Sequence, residues 1–177
     1  MKIEAIKNEE ERICQGDIIA NVEHIDLIAE SEGVIEISRI VFPLAIVLTQ
    51  DCDLKYSSEK LLSVLVAPLY NAEHVYEGTH LSELRIGMGP INKKKTEGEY
   101  LQKNERPRYH YLDFKTEIPI VPSVIDFKHY FSVNVDHLQK IKESNYICTI
   151  SELFREDISL RFANFLARIG LPEPKTE

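Results

Sequence analysis

The chain has 177 residues, 44% of them hydrophobic and 28% charged, which is enough for one ordinary core and short for two. Its 21 Lys and Arg stand against 29 Asp and Glu, and the resulting net charge of −8 works against an unspecific hold on a phosphate backbone. The longest uncharged apolar run, residues 40–49, is about half a membrane span, and no charged leader precedes an apolar run; a cytoplasmic protein without a membrane segment is therefore expected.

The elements follow from periodicity and punctuation. An acidic, solvated loop is expected over residues 7–12, after which Gly16-Asp17 opens a strand over 18–22 and Gly33 opens another over 34–40, where apolar and polar positions alternate as in a half-buried strand. Residues 44–48 and 62–67 are short β-branched runs with little alternation, suited to strands covered on both faces or closed into a barrel. Pro43 and Pro68 are expected at the start and end of these strands, where a missing ladder donor costs little. A helical turn is predicted at 80–84 and a loop across 87–98. Aromatic-rich strands follow at 108–114 and 124–131, then a short helix at 135–141 and a short strand at 146–149.

The final segment reads as a helix. Ser151 is a good N-cap, Glu152, Glu156 and Asp157 sit near the positive end of the helix dipole, and Gly170 before Pro172 is a stop. Phe154, Ile158, Phe162, Phe165 and Ile169 recur at three- and four-residue steps and give one apolar stripe. Full burial stabilises each such side chain by about 1.5 to 3 kcal/mol before entropy, so the stripe belongs against the rest of the fold.

Gly16-Asp17-Ile18, the run Pro43-Leu44-Ala45-Ile46-Val47-Leu48-Thr49 and Val64-Leu65-Val66-Ala67-Pro68-Leu69 resemble, in order and style, the MazF/PemK ribonuclease toxins, which are built on a small SH3-like barrel. That resemblance covers roughly the first seventy residues. It implies the fold and not the activity: Phe42 stands where the family has its catalytic Arg, and Tyr70 where it has Ser or Thr, with Arg39 as a nearby substitute. Over the full length the chain is similar to a group of bacterial proteins without an assigned activity, through Thr49 to Leu54, Val64 to Pro68, Ser123 to Phe127 with Phe131-Ser132, and the segment from Arg155 to Pro172. The combined expectation is an α+β chain: a β-rich small SH3-like barrel with extra strands and a C-terminal amphipathic helix. It forms a single domain over 1–177, with a barrel core over about 13–70, a loop-rich middle over 71–106, strands over 107–150 and the helix over 151–170.

The cluster Thr49-Gln50-Asp51-Cys52-Asp53 follows the most apolar strand and is the first candidate site. Two carboxylates two residues apart share a face if the strand persists, and Asp51 and Asp53 would then hold Mg²⁺ or Mn²⁺ through oxygen ligands for a phosphate substrate. Capping of a turn by the two Asp residues, with Cys52 as a small core side chain, is the structural alternative. A nucleophilic or redox Cys52 would need a neighbouring base or cation, for which His110 and Arg155 are candidates. Asp126, inside an aromatic strand, could complete a carboxylate site or pair with Arg155. The three cysteines, Cys14, Cys52 and Cys148, form no pair of zinc-site spacing and fit reduced thiols. Lys93, Lys94 and Lys95, with Arg106 and Arg108, form the one basic patch for nucleic acid, diluted by Glu97, Glu99 and Glu105. The pattern leaves two functions open: a nucleic-acid-directed hydrolase of a toxin, defence or mobile-element system, or a non-catalytic small-barrel module that binds a protein partner. A homo-oligomer is compatible with either.

Overall fold

The computed structural model describes residues 2–7, 10–55, 61–115 and 117–168. In chain order these form strands β1 (Ala5–Ile6), β2 (Asp17–Ser31) and β3 (Val34–Val47), helix α1 (Asp51–Lys55), strand β4 (Ser63–Asn71), and helices α2 (Ala72–Glu77) and α3 (Thr96–Gln102). Strands β5 (Tyr109–Leu112), β6 (Ser123–Asp126) and β7 (Phe131–Asn134) follow, then helix α4 (Val135–Asn145), strand β8 (Tyr146–Ile150) and helix α5 (Glu152–Leu166). Two short 3-10 turns lie at Ser82–Leu84 and Phe127–His129.

The strands make one large antiparallel sheet in the order β1-β8-β2-β3-β4-β6-β5, with β7 also beside β4. Among the described residues its two ends are joined only by an isolated parallel bridge, in which Ile3 N donates to Asp113 O at 2.7 Å and Lys115 N donates to Ile3 O at 3.2 Å. The result is an α+β architecture in which the sheet curls round without a closing ladder. Alternation along the apolar strands serves two cores. Ile46, Leu48, Ala67 and Leu69 join Phe127, Ile158 and Phe162 on one side, while Ala45, Val47, Val64 and Val66 join Phe42, Phe131 and Leu138 on the other. Coverage on both faces is what the uninterrupted β-branched runs of β3 and β4 predict.

Helix α5 places Ile158 and Phe162 in the first core, with Phe154 and Phe165 partly buried against it. Ser151 occupies the N-cap without a side-chain capping bond, and Ile169, Gly170 and Pro172 lie outside the described residues.

Several expectations are corrected by the local structure. Pro43 and Pro68 lie within β3 and β4 rather than at their ends. Pro43 sits where the ladder to β2 skips a pair beside Asn21, a residue at φ 56°, and Pro68 sits where β4 passes from β7 to β6. Each proline thus faces a gap in pairing on one side of its strand, Pro68 keeping Ala45 as its partner on the other. The loop-rich middle holds two helices. Asn71 caps α2 by accepting from Glu73 N, and Gly78 at φ 75° ends it in the left-handed conformation. Helix α3 buries Gly98 against residues 92–93, so closely that a Cβ would sit 2.6 Å from Lys93 Cα. The predicted continuous strand at 124–131 is broken, because the Phe127–His129 turn inserts between β6 and β7 while both pair with β4.

Candidate functional site

Beyond β3 the chain turns at once. Thr49 Oγ1 accepts from Leu65 N at 2.7 Å, Gln50 O accepts from Asp53 N and Leu54 N, and α1 begins at Asp51. Residues two apart on a helix point to opposite sides, so the Asp51 and Asp53 side chains diverge. Asp51 turns inward. Arg12 Nη1 and Nη2 each donate to one of its oxygens at 3.2 Å, and Gln15 N donates at 3.2 Å. Partial burial pushes the Asp51 carboxyl up, but the Arg12 and Gln15 bonds outweigh it and hold it below the ordinary carboxylate range. Cys52 and Asp53 are exposed on the outer side, with Cys52 Sγ 3.6 Å from Gln50 Oε1.

Arg155 joins Asp51 at the loop that precedes β2. It donates to Gln15 O at 3.3 Å, and its Cγ would lie 2.6 Å from a Cβ on Gly16, which holds φ 80°. Asp51 and Arg155 therefore clamp one loop between α1 and α5. Among the described residues no group of three or more His, Cys, Asp or Glu side chains is arranged to hold a metal ion.

His110 and Asp126 stand elsewhere, and on opposite faces. In the β5–β6 ladder His110 is opposite Ile125 and Tyr109 is opposite Asp126, and successive residues alternate faces. His110 is buried toward α5, with Phe127 at 6.3 Å between ring centroids and Asp157 Oδ2 at 3.9 Å from Nε2. Burial, followed by the nearby Arg161 charge, lowers its pKa to about 3.

The densest polar centre surrounds Asp126, which is 0% exposed. Its partner is Arg108 and not Arg155: Nε donates to Oδ1 at 2.8 Å and Nη2 to Oδ2 at 2.5 Å. Lys128 N donates to Oδ1 at 3.1 Å, and the Nε2 atoms of His80 and His129 both lie 3.7 Å from Oδ2. Burial opposes the Asp126 charge, yet the contacts to His80, Arg108 and Lys128 N outweigh it and keep its carboxyl below the ordinary range. The inserted 3-10 turn produces this convergence, since it makes Asp126 a cap and returns His129 one turn later. His80 and Arg108 enter from outside that strand, and no local sequence signal links them to Asp126. The bidentate guanidinium supplies the positive charge that a cation would bring. Beside the centre lies a cavity of about 430 Å³ lined by Phe42, Tyr70, His74, His80 and Leu84 among others.

The basic patch is dispersed. Arg108 is committed to Asp126, and Lys93 pairs with Glu73 over the Tyr76 ring. Lys95 precedes α3, and Arg106 O accepts from Arg161 Nη2.

The β2–β3 hairpin is the largest departure from a covered surface. Every residue from 30 to 39 is exposed. A two-residue turn, Glu32-Gly33 at φ 52° and 80°, reverses the chain with the right-handed strand twist. β8 pairs with β2 only at residues 17–19, and β4 pairs with β3 only at 45–47, so both outer edges of the hairpin lack a sheet neighbour among the described residues. Cross-strand register puts Ile28 opposite Ile37, Ile35 opposite Glu30, Ile25 opposite Arg39 and Val41 opposite Glu23. A bulge between Ile25 and Leu27 keeps Ile25 and Ile28 in phase, and these five aliphatic side chains share one face at 46–66% exposure.

No family model matches the chain, and no curated protein matches it at a significant level. Among the described residues no helix is long and apolar enough to cross a membrane.

Proposed function

We propose that the chain is a non-catalytic interaction module whose hairpin arm docks into an apolar, positively rimmed groove on a partner protein. The observation that carries this reading is the single face formed by Ile25, Ile28, Ile35, Ile37 and Val41, left exposed on strands whose bases are packed in the core. Contiguous apolar area of this kind marks a surface that is buried in a complex. The charge of the arm selects the occupant. Asp26, Glu30, Glu32 and Glu36 lie between Ile25 and Ser38 with no Lys or Arg among them, so a cationic rim complements the arm, whereas two copies meeting there would bring like charges together. Three of the groups that a hydrolase would use are engaged in the fold, Asp51 with Arg12, Asp126 with Arg108 and Lys93 with Glu73, and Asp53 points away from Asp51.

The same proposal reads the curled β2–β3–β4 region as an SH3-like small barrel related to the MazF/PemK toxins and working in a cytoplasmic toxin or defence system. Phe42 and Tyr70 at the two catalytic positions fit a barrel that has kept a binding role.

The test places a photocrosslinking residue at Ile37 and, as a control, at Leu160 on the exposed side of α5. A partner protein captured from Ile37 alone, and lost in both Ile28→Ser and the triple variant Glu30→Lys, Glu32→Lys, Glu36→Lys, supports the proposal. A capture indifferent to both variants overturns it. Sedimentation of the purified chain tests the rival occupant, because a dimer abolished by Ile28→Ser would make the occupant a second copy.

A further inference from the structure

A second site, independent of the hairpin arm, is built beside Asp126. We propose that the 430 Å³ cavity binds a small, uncharged, planar heteroaromatic molecule that donates a ring N–H to His80 Nδ1. Its volume suits a compact small-molecule ligand. Phe42, Pro43, Leu44 and Leu84 supply apolar wall, and Tyr70 stands edge-on to Phe42 at 6.5 Å and to His80 at 5.0 Å. Such walls accept a flat ring by offset or edge-to-face contact. Among the described lining residues none is Asp, Glu, Lys or Arg, so nothing in the wall compensates a charged ligand.

His80 supplies the direction of the hydrogen bond. Its side chain is 1% exposed, Nε2 faces Asp126, and Nδ1 has no hydrogen-bond partner, a desolvation cost that a native structure ordinarily relieves. Nε2 lies 3.7 Å from Asp126 Oδ2, and Arg108 keeps that carboxylate charged. A tautomer with hydrogen on Nε2, toward this neighbour, leaves the unpartnered Nδ1 as the acceptor that His80 offers at the cavity wall. The complementary ligand atom is therefore a donor.

The experiment uses the full chain with ¹⁵N-labelled imidazoles, the His80 signals being those lost in His80→Phe. Long-range ¹H–¹⁵N spectra of the free protein are expected to show the tautomer with hydrogen on Nε2. Indole is expected to move the Nδ1 resonance saturably, and 1-methylindole, which has the same ring without the donor, to bind about tenfold more weakly or worse. His80→Phe keeps an aromatic wall and should bring the two affinities together. The inference is overturned by hydrogen on Nδ1 in the free protein, by indole and 1-methylindole binding within about twofold of each other in the unsubstituted chain, or by no saturable shift up to indole's solubility. Each of these readings is made on the unsubstituted protein, so a folding defect in His80→Phe leaves the test intact.

Discussion

Lowering the pH from 7 to 5 should destabilise the chain through His110. This imidazole is buried against Phe127, and its Asp157 neighbour is 54% exposed and so heavily solvated. With the folded pKa moved from 6.5 down to about 3, the unfolded state binds more protons at every pH between those values. The neutral-His contribution is therefore fully present above the unfolded pKa and is lost as the pH falls toward the folded one. Each pH unit inside that window costs about 1.4 kcal/mol, which integrates to about 2 kcal/mol between pH 7 and pH 5. Urea unfolding at half-unit pH steps measures it as a falling midpoint at constant m. His110→Leu keeps an apolar side chain in the site and should flatten the profile over this window. A wild-type midpoint that is level from pH 7 to 5, or a slope unchanged in His110→Leu, refutes the reasoning.

The remaining predictions concern a buried ion pair and the thiols. Lys142 Nζ lies 2.9 Å from Asp17 Oδ2, and Asp17 also accepts from Thr149 Oγ1 at 2.6 Å and Cys14 N at 2.8 Å, so the pair ties α4 to β2 and β8. Lys142→Met leaves the carboxylate buried and uncompensated and should cost about 3 to 5 kcal/mol, a loss of roughly 6 to 20 °C in Tm, which Asp17→Asn in the same chain should partly restore. A single-variant loss under about 1 kcal/mol would deny that the pair is buried as described. Thiol titration of the native chain should show fast reaction at Cys52 alone. Cys14 and Cys148 are buried, and burial pushes their thiols up, to about 11 for Cys148. Rapid native labelling that persists in Cys52→Ser would contradict this.

Much of the fold is legible in local pattern. The β-branched runs of β3 and β4 and the phenylalanine stripe of α5 are each decided by residues close in sequence, and pattern reads them correctly. The Asn71 and Gly78 caps of α2 were equally local signals, hidden by a segment whose polar composition resembles a loop. Other features depend on pairing that no short window contains. Alternation in residues 34–40 matches a half-buried strand, yet burial requires a neighbour, and β4 has already turned away at Ala45. The bulge after Ile25 matters equally: Ile25 and Ile28 are three residues apart, an odd spacing that should place them on opposite faces of a regular strand.

The sites follow the same division. Pattern could mark Asp51 as polar after an apolar strand, but its meaning rests on Arg12, thirty-nine positions earlier, which makes it a clamp on the loop before β2. At Asp126 the decisive event is the insertion of one 3-10 turn into a strand that pairs with β4 on both sides of it. Without that turn, residues 126 and 129 would lie on opposite faces of a regular strand. With it, their side chains meet, and Arg108 and His80 complete the group from other segments. A single break in pairing thus creates a well-satisfied buried charge and, beside it, an imidazole whose Nδ1 has no hydrogen-bond partner. Asp126 uses only the Nε2 side of the His80 ring; Nδ1 has no partner in the fold although His80 lines a cavity, and that unused nitrogen is what points to a ligand.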